Sequence, residues 1–392
     1  MHVTQRQSIT DPVVADPGAD WTVLPWDFAA LDAALVWEAG VAAARAEAAR
    51  DADDLVKVIC DGALLWKPDD WPGAQRTDHE REKWLARVTG AGTSAVLFYA
   101  RGLQQHHRRL YEVLLEGLAP RLAGFGLPCG DVESEMFYGH YGATPGGIHR
   151  EGCSNLHLVL AGSKFMHMWS GDDWIPSGTR LRRDEEPLQG TLEHYLPELD
   201  PHEVLPLGTR LSASAGQCFF WRSGIWHVGE SPEPSLSINI ASYTGSFDNA
   251  TTGLALPCGP RGEMPADWPA RYREFAGLGP DHGDARVLAR ASALGMRGAA
   301  PDTAPAPAPA PAPATDAPSR VRVRSAAPLL WLPEGQWLHV ATHGAVRAFP
   351  SGVGGWLEGV AGAEPGDEPA VPAAAADCAR WLAEQSLLTV VA

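Results

Sequence analysis

The six cysteines of this 392-residue sequence, Cys60, Cys129, Cys153, Cys218, Cys258 and Cys378, form no CxxC pair. That argues against a zinc cluster or a disulfide framework and fits a reducing, cytoplasmic setting. There is no run of the ~18 apolar residues that a membrane-spanning helix needs. The first residues, Met1 to Arg6, precede no apolar stretch of the kind a secretory signal carries. Basic residues are also in deficit. Lys and Arg number 31 against 48 Asp and Glu, a net charge of −17. A surface of that sign repels phosphate backbones, so nucleic acid is not an expected partner. What is abundant is apolar: 45% of residues are hydrophobic and 15 are Trp. That is enough for a normal core, and the length predicts roughly two to three domains.

Breakers at Asp11-Pro12 and Asp16-Pro17-Gly18 mark residues 1–20 as disordered. Residues 21–132 read as a mixed, mainly helical part. Leu31, Leu35, Ala39 and Ala42 recur at helical spacing, a strand is expected at 96–99, and a helix at 103–118 is stopped by Pro120. From 133 to 250 short apolar strands alternate with Gly, Pro and Asp turns, which predicts an all-β unit. Strands are expected at 135–141, 155–161, 164–169, 210–214, 217–222 and 236–243, with Gly162-Ser163 as a hairpin turn between the second and third. Residues 251–300 return to helix. Residues 301–319 contain a strict Ala-Pro alternation at 304–314, which favours polyproline II and spaces domains apart. Residues 320–392 then predict two strands, two helices and a final strand, an order that suits a winged-helix-like module folding separately.

The segment Pro145-Gly146-Gly147-Ile148-His149-Arg150-Glu151 holds an H-x-E pair. In an extended strand the period of two puts both side chains on one face. A third ligand is available in His227, which follows an apolar strand and a Gly-containing turn at 216–226. Two histidines and one carboxylate on one side of an ion leave positions open opposite, the arrangement of non-haem iron(II) oxygenases. A lone H-x-E is common by chance. It is the distal His in matching context that raises its meaning. Cys153 and Cys218 read as small buried hydrophobes.

The run from Thr144 through Lys164, together with Gly216-Gln217, Trp226-His227 and Ser237-Ile238-Asn239-Ile240, resembles the JmjC/cupin-like hydroxylases, in the branch of asparaginyl and ribosomal-protein hydroxylases. The resemblance covers about a third of the chain. It implies a double-stranded β-helix core, mainly β with flanking helices. It implies iron(II) held by His149, Glu151 and His227, with 2-oxoglutarate and dioxygen as co-substrates. Lys164 falls where the family's basic residue anchors the far carboxylate of 2-oxoglutarate, and Asn155 at a polar position beside it. Asn239 belongs to the same set. The family's threonine near the first His is displaced here to Thr144, so Tyr138 or Tyr141 is expected to substitute. Glu151 stands where many members of the branch carry Asp. The implied activity is hydroxylation of a side chain in a protein or peptide, including a biosynthetic precursor peptide. Demethylation of N-methyl-lysine and a non-oxygenase metal-binding cupin are the alternatives. A homodimer through the helices of 251–300 is implied by the family alone.

Overall fold

The computed structural model describes residues 20–26, 28–50, 55–90, 95–186, 191–244, 247, 253–279, 281–298 and 318–391. The stretch 1–19, expected to be disordered, and the Ala-Pro alternation at 304–314 lie outside the described residues. The chain divides into two compact units. One comprises residues 1–106 and 133–250, the other residues 107–132 and 251–392. Among the described residues no helix is long and apolar enough to cross a membrane.

The first unit is mainly β, with a jelly-roll core. Its strands are β1 (Trp21–Pro25), β2 (Val56–Cys60), β3 (Ala63–Leu64), β4 (Val96–Arg101) and β5 (Val132–Tyr141). They continue with β6 (His149–Glu151), β7 (Cys153–Ala161), β8 (Ser163–Trp169), β9 (Arg182–Glu186) and β10 (Thr191–Tyr195). The last three are β11 (Thr209–Ser214), β12 (Gln217–Trp221) and β13 (Trp226–Tyr243). One path runs β1-β12-β7-β13-β5-β4-β2-β3, and a second runs β9-β10-β6-β13-β8-β11. Strand β13 belongs to both. Its residues 226–230 pair with β8, and its residues 236–243 pair with β7, with a register shift between Leu236 and Ser237. Pro232 and Pro234 lie in the interval, where missing N–H groups force the ladder to break.

That topology corrects the expectation of a hairpin at Gly162-Ser163. Strands β7 and β8 do not pair with each other; each pairs with a different half of β13. Gly162 is a corner between the two sheets. Its φ is +71°, and a Cβ there would come 2.6 Å from the Pro234 carbonyl oxygen, so only glycine fits the corner.

The helix Ala33–Arg50 covers the outer face of β4 and β5. Gly40 makes the approach possible, since a Cβ at that position would overlap the end of the Met136 side chain. Trp37, Trp84, Phe98 and Tyr138 meet there, with ring centroids 5.2–6.0 Å apart. Edge-to-face and tilted pairs of this kind add to the burial energy of the rings themselves.

In the second unit a four-stranded sheet is ordered β14 (Arg261–Glu263), β16 (Leu329–Glu334), β17 (Trp337–Thr342), β18 (Ala345–Pro350). A separate pair joins β15 (Arg320–Val323) to β19 (Leu388–Val391). Helices Gly354–Ala361 and Ala376–Glu384 complete the α+β module. The helix Arg108–Phe125 also belongs to this unit and carries Pro120 inside it, so Pro120 does not stop the helix as expected. The lost hydrogen bond is local, whereas Leu110, Leu114 and Leu118 bury their side chains almost completely. Residues 261–263 form β14, parallel to β16 across the Ala-Pro tract. The segments on either side of the tract thus each contribute a strand or more to one sheet. Helix Asp284–Ser292 buries Val287, Leu288 and Ala291 within the same unit. If a protease cuts between residues 300 and 317, the two pieces should therefore stay together and co-elute in size exclusion until denatured. Release of a free fragment of 320–392 under native conditions would contradict the shared sheet.

Candidate metal centre

Strand β6 lies between β10 and β13, and the register sets the site. His149 is directly opposite His227 on one side and Tyr195 on the other, while Glu151 is opposite Glu193. Glu151 follows His149 by two residues and shares its face, as the strand period requires. The imidazole rings of His149 and His227 lie 4.3 Å apart by centroid. His149 Nε2 is 3.5 Å from Glu151 Oε1, and His227 Nε2 is 4.0 Å from Glu151 Oε2. One potential ligand atom from each residue falls within 4.8 Å of the others.

Both histidines are locked in the same way. His149 Nδ1 is 2.9 Å from the Gly147 carbonyl oxygen, and His227 Nδ1 is 2.9 Å from that of Ile225. A carbonyl only accepts, so Nδ1 carries a proton in each ring and Nε2 is the nitrogen turned toward the other two residues of the set. Burial works to raise the Glu151 pKa, but the hydrogen bond and charge of His149, then His227 and the Cys153 thiol, bring it down to about 2. Burial works to lower the His149 pKa, and Glu151 overcomes it, so the net shift is upward. His227 is pushed down to about 4 by burial and by the charge of His149.

The three residues line a cavity of about 430 Å³ within the first unit. Lys164 also lines it and is 2% exposed. It does not reach the rim to solvate its ammonium. Its Nζ donates to Tyr141 Oη at 2.9 Å and to Ser237 Oγ at 3.3 Å, and it sits 4.6 Å from the centre of the Phe137 ring. Among the described residues it has no carboxylate partner within salt-bridge distance. Ser237 also meets His157 Nε2 at 2.8 Å. Burial and the Lys164 charge hold the His157 pKa well below its ordinary value, so this ring is neutral.

The other expected residues divide. Thr144 lines the cavity, and its hydroxyl and backbone N–H both bond to Gly229. Gly229 has no room for a side chain there, since a Cβ would stand 2.8 Å from Thr144 Oγ1 and 3.3 Å from Lys164 Cε. Asn155 and Asn239 are buried and joined, with Asn239 Nδ2 donating to Asn155 Oδ1 at 2.7 Å and to Glu135 Oε2 at 3.0 Å. Tyr138, expected beside the co-substrate, is a correction. It lies on the opposite face of β5 from Glu135, Phe137 and Tyr141, against Trp37 and Trp84. Tyr141 is the tyrosine that meets Lys164.

No family profile matches the chain, and neither does any curated protein. Among solved structures it is similar to YcfD, a ribosomal oxygenase from Escherichia coli. The YcfD complex with cobalt and 2-oxoglutarate aligns at 13% identity and a TM-score of 0.44, over 94% of each chain. The complex with cobalt and succinic acid aligns at 12% identity and the same TM-score, again over 94% of each chain. At this identity and TM-score the likeness says nothing about activity.

Several cavity residues escaped the sequence reading. Tyr195 stacks on His149 at 5.5 Å and donates to Glu193. Nothing near residue 195 in sequence points to the metal; only the β6–β10 register brings it there. Glu135 was legible in principle, as an acid two residues from another on an apolar strand. Burial raises its pKa to about 7, with Arg101 opposing and Glu151 and Glu133 adding to the rise. Its oxygens accept from Tyr99 Oη at 2.9 Å and from Asn239.

Replacing His227 by Ala should abolish Co(II) binding measured by calorimetry, with the metal-free protein still folded by circular dichroism. Binding must also displace the proton from His149, because only the neutral ring ligates. The His149 pKa lies above its ordinary value, so affinity should already fall as the pH drops toward the ordinary histidine range. Proton release should accompany binding there. A pH-independent affinity between 6 and 8 would contradict this coupling.

Proposed function

We propose that the protein is an iron(II)- and 2-oxoglutarate-dependent dioxygenase that hydroxylates a side chain of a protein or peptide. One observation carries the reading. A single cavity holds a converging two-histidine, one-carboxylate set and a buried lysine with no carboxylate partner among the described residues. The donor set fits iron(II), for which two imidazoles and one carboxylate are a common facial set. The lysine fits a dicarboxylate. An isolated buried ammonium is costly, and an anionic ligand group removes that cost.

His149, Glu151 and His227 would hold the metal, with both imidazoles already turned by the Gly147 and Ile225 carbonyls. Lys164 would hold the far carboxylate of 2-oxoglutarate. Its ammonium has three N–H bonds and uses two of them on Tyr141 and Ser237, which leaves one to donate. Tyr141 accepts from Lys164, so its own O–H is free to donate to the same carboxylate. Thr144, pinned by Gly229, closes the wall beside this pocket. Met166, Phe137 and Trp221 give the cavity apolar sides that exclude water. Bound iron(II), 2-oxoglutarate and dioxygen would supply the oxidising power to insert oxygen into a C–H bond, with succinate and carbon dioxide as co-products. A polypeptide substrate rests on the resemblance of residues 144–164 to the JmjC/cupin-like hydroxylases. A metal-binding cupin without oxygenase activity would use the same three ligands but has no need of Lys164.

The direct test is succinate formation from 2-oxoglutarate with iron(II) and ascorbate, with and without candidate peptides. Lys164→Ala should raise the 2-oxoglutarate concentration needed by at least about a hundredfold, because breaking a buried charged pair costs on the order of 3–5 kcal/mol. Co(II) affinity should stay near that of the unmodified protein, since the ammonium does not touch the ligands. An unchanged 2-oxoglutarate requirement would place the anchor elsewhere.

A further inference from the structure

The Glu151 carboxylate presents an ambiguity. Its Oε1 approaches His149, and its Oε2 approaches His227. A facial set with open positions is best served by one oxygen, because a chelating carboxylate would take a second position. The side chain that can decide between the two oxygens is Cys153. Its Sγ lies 3.3 Å from Oε2, within hydrogen-bond range for sulfur, and the residue is 1% exposed.

The thiol is not alone. Asn155 Nδ2 lies 3.5 Å from Cys153 Sγ, and Asn155 Oδ1 accepts from Asn239. Asn239 spends its other N–H on Glu135, whose second oxygen accepts from Tyr99. The direction of these bonds is fixed by their ends. Asn239 Nδ2 donates both ways, so Asn155 must turn its oxygen to Asn239 and its amide N–H groups toward Cys153. The sulfur then accepts from Asn155. Its S–H has two acceptors in range, Glu151 Oε2 at 3.3 Å and Asn155 Oδ1 at 3.7 Å; the carboxylate is nearer and charged, whereas Asn155 Oδ1 already accepts from Asn239, so the proton goes to Glu151. Outer partners of this kind fix the orientation of a metal ligand and tune its donor strength.

We propose that Cys153 is a positioning residue for the metal carboxylate. Its thiol occupies Oε2 and leaves Oε1 as the oxygen donor beside His149 and His227. Asn155 orients the thiol, and Asn239 orients Asn155. The inference rests on the metal-binding part of the proposed function but on neither 2-oxoglutarate nor the substrate. A filler role for the same side chain makes a different prediction. If Cys153 only occupies space next to Ala241 and Tyr243, then Ser and Ala are equally small replacements and neither alters the metal.

The test uses the full-length metal-free protein titrated with Co(II) under argon, read by calorimetry and by visible ligand-field absorption. Cys153→Ala should weaken Co(II) binding by about 10–100-fold, the range typical of lost outer partners, and should shift the ligand-field bands. Cys153→Ser keeps a donor and should restore both affinity and bands. Thermal midpoints of the metal-free variants serve as the folding control. If Cys153→Ala folds poorly, Cys153→Val removes the donor while keeping bulk and carries the same expectation. Unchanged affinity and bands in the donor-free variants would overturn the proposal, as would equal losses in Ser and Ala. Sulfur-to-cobalt charge-transfer absorption in the unmodified protein would overturn it too, because the thiol would then be a ligand. Absence of Co(II) binding by the unmodified protein would instead refute the metal centre itself.

Discussion

Strand β13 has to serve two sheets at once, and the arrangement of the cavity follows from that constraint. Its first five residues place His227 opposite His149; its last eight carry Ser237 and Asn239 beside β7. The two ladders are separated by Ser231 to Ser235, where the prolines break pairing and the hydroxyls of Ser231 and Ser235 meet at 2.9 Å. A slip of one residue in either half would turn its inward side chains outward. A slip in the first half would turn His227 away from His149 and Glu151, and one in the second would remove the partners of Lys164 and Glu135. The Gly162 corner matches the same bend from the β7–β8 side.

The cavity is polarised. Lys164 marks one pole, and among the described residues its hydrogen-bond partners, Tyr141 and Ser237, are neutral. Glu151 and Glu135 mark the other, and burial raises the Glu135 pKa to about 7. Groups of this kind are expensive to bury without partners. Here the costs fall on residues that face a common space. Arg101, close to the acidic pole, is already engaged by Glu133 at 2.5 Å and by the Tyr243 hydroxyl. It therefore supports the wall more than it neutralises the cavity.

The strands of the core were legible because their alternation is strong. The expected 210–214 and 217–222 differ from the observed β11 and β12 by a single residue. The short elements were not. Strands β6, β9 and β10 have three to five residues, and all three consist mostly of charged and polar side chains. Their strand character comes from partners, not from composition. Gly162 was legible as a turn but not as a corner, since a positive φ suits both. Local propensity makes Pro120 a stop, and burial of the surrounding leucines outweighs it.

The sequence alone determined the types of the candidate ligands and their local phase. H-x-E on a strand puts His149 and Glu151 on one face whatever surrounds them, because strand periodicity is a property of the backbone. It also determined that Lys164 follows a glycine turn on an apolar strand. Tertiary structure decided everything that depends on register between distant strands. The choice of Tyr141 over Tyr138 is one such case, since they differ only in which face of β5 turns inward. Tyr195 stacked on His149 is another, and the Cys153 thiol against Glu151 a third. Hydrogen bonds across strands separated by tens of residues set these relations, and no local pattern encodes them.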